Sequence, residues 1–207
     1  MNDYRFYVER VPAPTGMMLL VTDEQERLRA LDWEDHEVRM HRLLRLHYGV
    51  GLTRLEANAG VSNARRAVEA YYGGAVSAID ILHVKTGGTD FQREVWTALR
   101  AIPVGETTTY GRLAALLGHP KAMRAVGMAN GANPVGIVVP CHRVIGANAS
   151  LTGYGGGIER KRWLLEHEGA ARRVGAPYGK RPLRQYRDFY LKKLDAQEEK
   201  PVERIFA

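Results

Sequence analysis

An α/β N-terminal part followed by a mainly helical C-terminal part is the fold class this sequence predicts. Three observations carry it. Residues 17–34, MMLLVTDEQERLRALDWE, read as two short strands joined by a polar turn, with helical patterns after them. A Gly-Gly break at Gly87–Gly88 then interrupts the chain. Beyond the break, apolar residues recur at helical spacing in consecutive segments.

The elements follow in order. After the strand pair, Val38, Leu43, Leu44 and Leu46 recur near helical spacing in an Arg/His-rich segment. An irregular run around Gly49–Gly60 precedes SNARRAVEAYYGG, a helix with Ser62 as N-cap and Gly73–Gly74 as its stop. Residues 1–86 thus read as an α/β domain with a linker. FQREVWTALRAI opens the second domain, residues 87–169, with an apolar stripe of Phe91, Val95, Leu99 and Ile102 that Pro103 and Gly105 end. Two short helices follow, 110–118 and 121–130, separated by His119–Pro120. Thr109 is placed to cap the first and Gly118 to close it. A tight turn between short helices suits a helix-turn-helix motif or an ordinary helical hairpin. Ile137, Val138 and Val139 read as a buried strand-like run ended by Pro140, and a glycine-rich loop at 153–157 leads into a helix bearing Trp163, Leu164 and Leu165.

Composition bounds the function. The chain has 207 residues, 45% hydrophobic and 26% charged, values of a globular protein with one large or two small domains. MNDYRFYVER lacks the pattern of a secretory signal, and no run approaches the roughly 18 apolar residues of a membrane span. One cysteine allows no intrachain disulfide and no multi-cysteine zinc site. These features point to a soluble, cytoplasmic protein with no membrane partner. The net charge of +7 divides unevenly: −1 over residues 1–86, +3 over 87–169 and +5 over 170–207. A basic C-terminal two-thirds suits a polyanionic partner or simply a solvated surface.

Two features bear on chemistry. The second short helix is rich in small residues, among them Ala122, Ala125, Gly127 and Ala129, with one long cation, Arg124. Glycine costs a helix about 1 kcal/mol relative to alanine, so Gly127 implies close approach of another backbone, of protein or of DNA. The lone cysteine, Cys141, sits in VVPCHRVIG. Taken alone it reads either as an activated nucleophile or as a buried, inert thiol. Its neighbour His142 would lie on the opposite side of an extended segment, so direct contact between them is not expected.

The motifs PCHRVIG (140–146), Tyr110 at a helix start, RAVGMANGANP (124–134), GYGGG (153–157) and WLLEHEG (163–169) occur in an order and spacing that resemble the O6-alkylguanine-DNA alkyltransferases of the constitutive bacterial type. The resemblance implies a ribonuclease-H-like N-terminal domain and a C-terminal domain with a winged or helix-turn-helix DNA-binding motif. It implies a single-use transfer of the alkyl group from guanine O6 in double-stranded DNA to Cys141, with the nucleotide flipped through the minor groove. By the same resemblance His142 and Glu168 activate Cys141 through a water, and Asn133 braces the site. Arg124 fills the gap left by the flipped base, with Ala125 and Gly127 on the same DNA-facing helix. Tyr110 crowds the target phosphate and can donate a proton to the leaving base. Pro140, Val144, Tyr154, Gly155 and Gly156 form the base pocket. No cofactor and no metal are implied, and the remaining histidines form no convincing ligand set. The protein is expected to be a monomer, with clustering on DNA left open.

Two departures stand out. Many members carry a small hydroxyl residue after the pocket tyrosine, where this chain has Gly155, which implies a roomier pocket that accepts longer alkyl groups and O4-alkylthymine. Residues 170–207 continue past the usual end as a basic extension, read either as a source of phosphate contacts or as a disordered tail. Two rival functions remain open to the same residues. An alkyltransferase-like lesion sensor would lack the acceptor cysteine, and a Cys-His hydrolase would turn over.

Overall fold

The computed structural model describes residues 4–49 and 53–170. The expectations for the basic extension therefore lie outside the described residues, apart from Ala170.

The N-terminal part is a mixed four-stranded sheet of β1 (Tyr4–Val11), β2 (Met18–Asp23), β3 (Leu28–Trp33) and β4 (Thr53–Ala57), ordered β3-β2-β1-β4. The 23–28 turn joins β2 and β3 antiparallel, while β4 pairs with β1 in parallel. Every residue of β2 and β3 is buried, because both faces of the sheet are covered. Alternate residues serve the two faces. Leu19, Val21 and Ala30 pack with Phe6 under helix α1 (Glu37–Tyr48), whereas Met18, Leu20, Leu31 and Trp33 face helix α2 (Asn63–Tyr72) and the C-terminal part.

Several sequence expectations change here. Strand β4 lies within the run read as irregular, and β1 carries no simple alternation, since only Phe6, Glu9 and Val11 are buried along it. The buried stripe of α1 is Met40, Leu43, Leu44 and Tyr48, while Val38 and Leu46 face solvent. Ser62 caps α2 as expected, its side chain accepting from the Arg65 amide.

The C-terminal part holds α3 (Asp90–Arg100), α4 (Tyr110–Leu116), α5 (Met123–Gly131) and α6 (Ile158–His167). Thr89 and Gln92 form a capping box at α3, and Thr109 caps α4. A short parallel pair, β5 (Thr108–Thr109) with β6 (Val144–Ile145), fixes the segment that follows Cys141. One apolar cluster runs from Leu20, Leu31 and Trp33 through Val95 and Leu99 to Val139 and Cys141, so both parts share a core. The free edge of β3 is covered twice. Leu28 bonds with His83 and Lys85 of the linker, and Leu31 bonds with Pro134 and Gly136 of the turn before Cys141. Covering an edge removes an aggregation hazard, and here it also anchors the site.

Residues 137–139 are buried but do not form a strand. Val138 N donates to Gly136 O at 2.7 Å around Ile137, whose φ is +67°, a strained γ-turn for a β-branched residue. Cys141 N then donates to Val139 O at 2.8 Å around Pro140 (φ −80°, ψ 64°), a second γ-turn of the relaxed kind. The apolar run therefore satisfies its own backbone locally, and needs no ladder partner. Cys141, His142 and Arg143 form one turn of 3-10 helix, not the extended segment expected from the sequence.

Candidate active site

The double turn is held from inside by Asn133. Its Oδ1 accepts from the Val135 amide at 3.0 Å, and its Nδ2 donates to Val139 O at 2.8 Å. The same Nδ2 reaches Cys141 Sγ at 3.1 Å. One buried amide thus fixes both ends of the turn and the sulfur it presents. Burial pushes the Cys141 thiol up, against the opposing pull of Asn133, Arg39 and Lys161, so at rest it holds its proton. A thiol of this kind needs a base at the moment of reaction.

His142 is fully buried one residue on. Its Nε2 lies 2.9 Å from Glu168 Oε1, which fixes Nε2 as the donor and leaves Nδ1 as the basic nitrogen. Nδ1 has no hydrogen-bond partner among the described residues. Burial lowers the histidine's pKa more than Glu168 raises it, and Arg143 and Lys161 oppose protonation further. The imidazole is therefore neutral, the form that accepts a proton. Burial alone would raise the Glu168 carboxyl, but His142 and Arg143 hold it far below the carboxylate range. Arg143 grips it with Nε at 2.8 Å from Oε2 and Nη2 at 2.9 Å from Oε1, and Tyr71 of α2 donates its hydroxyl to Oε1 at 2.9 Å. Glu168 occupies the C-terminal cap position of α6, so the end of that helix sets its place.

In front of Cys141 lies a cavity of about 340 Å³ lined by Trp33, Arg39, Tyr110, Gly127, Tyr154 and Gly155, with the cysteine among them. This is the size range of small-ligand pockets. Tyr154 stands edge-on to both His142 and Trp33. Gly127 has the Tyr110 ring 3.8 Å from where a Cβ would sit, ordinary contact with a side chain, so within the described residues no close backbone approach requires this glycine. On the outer face of α5, Arg124 and Ala125 are exposed, with Met123 and Met128 exposed beside them.

A family model described as 6-O-methylguanine DNA methyltransferase, DNA binding domain, matches residues 90–170. The methylated-DNA–protein-cysteine methyltransferase of Salmonella typhimurium is 55% identical over 167 residues, covering 80% of this chain and 96% of that protein. The chain belongs to the methylated-DNA–protein-cysteine methyltransferase family. The enzyme of that name from Mycobacterium tuberculosis strain H37Rv is 51% identical over 128 residues, 61% of this chain and 77% of that one. The crystal structure of Mycobacterium tuberculosis OGT in complex with DNA superposes with a TM-score of 0.64 at 38% identity, covering 80% of this chain and 93% of that chain.

The structure brings together Cys141, His142, Glu168 and Asn133, and sets Tyr110, Tyr154, Gly127 and Gly155 around the cavity. It does not place Pro140, Val144 or Gly156 on the cavity wall. Val144 is buried in β6, Pro140 is the N-terminal cap position of the Cys141 turn, and Gly156 packs on the Trp33 ring, where a Cβ would collide. The roomier pocket expected at Gly155 is also corrected. A Cβ there would lie 2.6 to 3.0 Å from the Arg39 guanidinium, so an arginine tip from α1 takes the space a side chain would use. Arg39 is held by Asp32 at 3.0 Å and reaches Gly131 O at 3.4 Å.

Sequence reasoning missed Arg39, Trp33, Tyr71 and Lys161 entirely and gave Arg143 no role. Lys161 is the most unexpected: it is fully buried, donates to the carbonyls of Val144 and Thr152 at 2.7 and 2.8 Å, and is pulled down to about 8 by burial. Its place in RKRWLLEH, between two arginines and two residues before Trp163, looks like a solvated helix face. Arg143 lay within the PCHR motif, whereas Arg39, Trp33 and Tyr71 come from the other half of the chain, where no local pattern marks them.

Proposed function

We propose that this protein repairs DNA by direct reversal, taking the alkyl group from O6-alkylguanine onto Cys141 in a single use. The observation that carries the reading is Cys141 Sγ at the wall of an open cavity, held by Asn133 and backed by the His142–Glu168 pair. The family relatives supply the substrate class by name.

The thiol proton passes to His142 Nδ1 through a bridging water, and Glu168 stabilises the imidazolium. Sulfur attacks the alkyl carbon in line, the carbon–O6 bond breaks, and its electron pair leaves with the guanine. Tyr110, on the cavity wall, donates a proton to the departing base and takes one back from solvent. The thioether that forms offers water no acyl group to attack, so each chain reacts once. Only a base extruded from the duplex brings its alkyl carbon to this buried sulfur.

Helices α4 and α5 act as a helix-turn-helix, with α5 entering the minor groove. Exposed Met123 and Met128 supply apolar contact beside Arg124, which occupies the gap in the stack. Minor-groove entry reads little sequence, as a scanner of damage requires. The N-terminal sheet, in the order β3-β2-β1-β4 with β4 parallel to β1, is of ribonuclease-H-like topology, and the site of action is cytoplasmic. No helix among the described residues is long and apolar enough to cross a membrane.

One experiment separates this reading from its rivals: incubation with duplex DNA bearing O6-methylguanine, followed by intact-protein mass and a count of repaired lesions. A gain of one methyl per chain supports alkyl transfer. An unchanged mass with tight binding would make the protein a lesion sensor, and many lesions lost per chain would make it a hydrolase.

A further inference from the structure

Three donors crowd one oxygen of Glu168. His142 Nε2, Arg143 Nη2 and the Tyr71 hydroxyl all lie 2.9 Å from Oε1, while among the described residues Oε2 receives only Arg143 Nε at 2.8 Å. Two of the three residues directly follow Cys141 in the chain, but Tyr71 comes from α2, 97 residues before Glu168. Its position is fixed at both ends. His167 Nε2 lies 2.7 Å from the Tyr71 carbonyl, and the two rings stack edge-on at 5.0 Å. The tyrosine is fully buried, and an ionised carboxylate offers it nothing but acceptor sites, so the hydroxyl donates.

We propose that Tyr71 is a positioning residue for alkyl transfer: by sharing Oε1 with His142, it sets how firmly His142 holds a proton. A hydrogen bond to Oε1 withdraws the negative charge that would otherwise favour the imidazolium. The other charged and titratable groups around His142 are Glu168 and Lys161 from α6 and its end, Arg143 and Cys141 from its own turn, and Tyr154 from the glycine-rich loop. Arg143 and Lys161 oppose protonation by charge, and only Glu168 favours it, so the strength of the Glu168 contact is the adjustable quantity. Tyr71 also ties the catalytic carboxylate to the N-terminal sheet layer, which makes that layer part of the catalytic apparatus. The inference rests on the alkyl-transfer reading of Cys141.

The test is the pH dependence of methyl transfer from O6-methylguanine duplex DNA, measured on the full chain. Three proteins are compared with wild type: Tyr71→Phe, a chain with 3-fluorotyrosine at position 71, and Tyr72→Phe as control. Removing the donor should raise the acid limb of the rate profile by about half to one pH unit, a fraction of the strength of one hydrogen bond to a charged group. The more acidic fluorophenol donates more strongly and should move the limb down. Tyr72 bonds Thr15 and the Met18 sulfur, away from Glu168, and its loss should leave the limb in place. If Tyr71→Phe fails to fold, the fluorotyrosine chain, which keeps the hydroxyl, decides the matter. Unshifted limbs in an active protein, even with a lower Tm, would reduce Tyr71 to packing and overturn the proposal. A wild type that transfers no methyl would overturn the alkyl-transfer reading and this inference together.

Discussion

Behind Cys141, four hydrogen bonds converge on one carboxylate, and an arginine, a histidine, a tyrosine and a lysine are all buried around it. In front of Cys141, α5 shows solvent an arginine and two methionines, and the cavity beside it opens outward. The back is saturated, with the Nδ1 of His142 as its notable unspent group. At the front, Arg39 is tied to Asp32, while Arg124 and the two methionines of α5 face solvent. On the proposed reading, the back holds a protonated thiol beside a neutral base and the front admits an extruded nucleotide. Mutations on the two sides should therefore fail in different ways.

The largest effect is expected from Glu168→Gln, which leaves the buried Arg143 guanidinium without its counter-charge. Breaking a buried pair from one side costs about 3–5 kcal/mol, visible in denaturant unfolding, and methyl transfer should fall with it. Arg124→Ala should separate the two sides most cleanly. Its exposed side chain leaves Tm unchanged, while transfer from duplex DNA should slow by about ten- to a hundredfold, the scale of base-flipping energies. Transfer from the free O6-alkylguanine base should not change, and equal losses on both substrates would contradict the division.

A pH effect should mark the back alone. Burial holds His142 neutral, with its pKa below the ordinary 6.5, so unfolding takes up a proton wherever the pH lies between the two values. The stabilisation is complete above pH 6.5 and is lost as the pH falls below it. Thermal melts from about pH 8 to about pH 5 should show a decline that His142→Asn flattens. The smallest effect is expected from Gly155→Ser at the front. The serine must displace the Arg39 tip, which is the far end of a flexible side chain, so transfer rates should change by no more than about threefold. A large loss would mean that Arg39 cannot move.

The same contrast explains what the sequence made legible. Helix starts at Ser62 and Thr109 were readable because a cap is a local hydrogen bond between near neighbours. The proposed catalytic centre was readable through PCHR and WLLEHEG, which place Cys141, His142 and Glu168 on two short segments. Ile137–Val139 misled because β-branched residues signal a strand by propensity, while Asn133 and Pro140 impose two γ-turns instead. Strand β4 was hidden between glycines, since a parallel edge strand needs no hairpin turn beside it. Tyr71 and Arg39 reach the site only through the packing of α2 and α1, and nothing within either helix distinguishes them from other surface or core positions.

The account's central claim is that Cys141 is a buried acceptor used once, and a lesion titration tests it most directly. A fixed amount of protein is given increasing O6-methylguanine duplex, and the methyl is located by peptide mass mapping. Repair should plateau at one lesion per chain, with the methyl on the peptide containing Cys141. Repair that continues past that plateau, or a methyl found on another residue, would contradict the account.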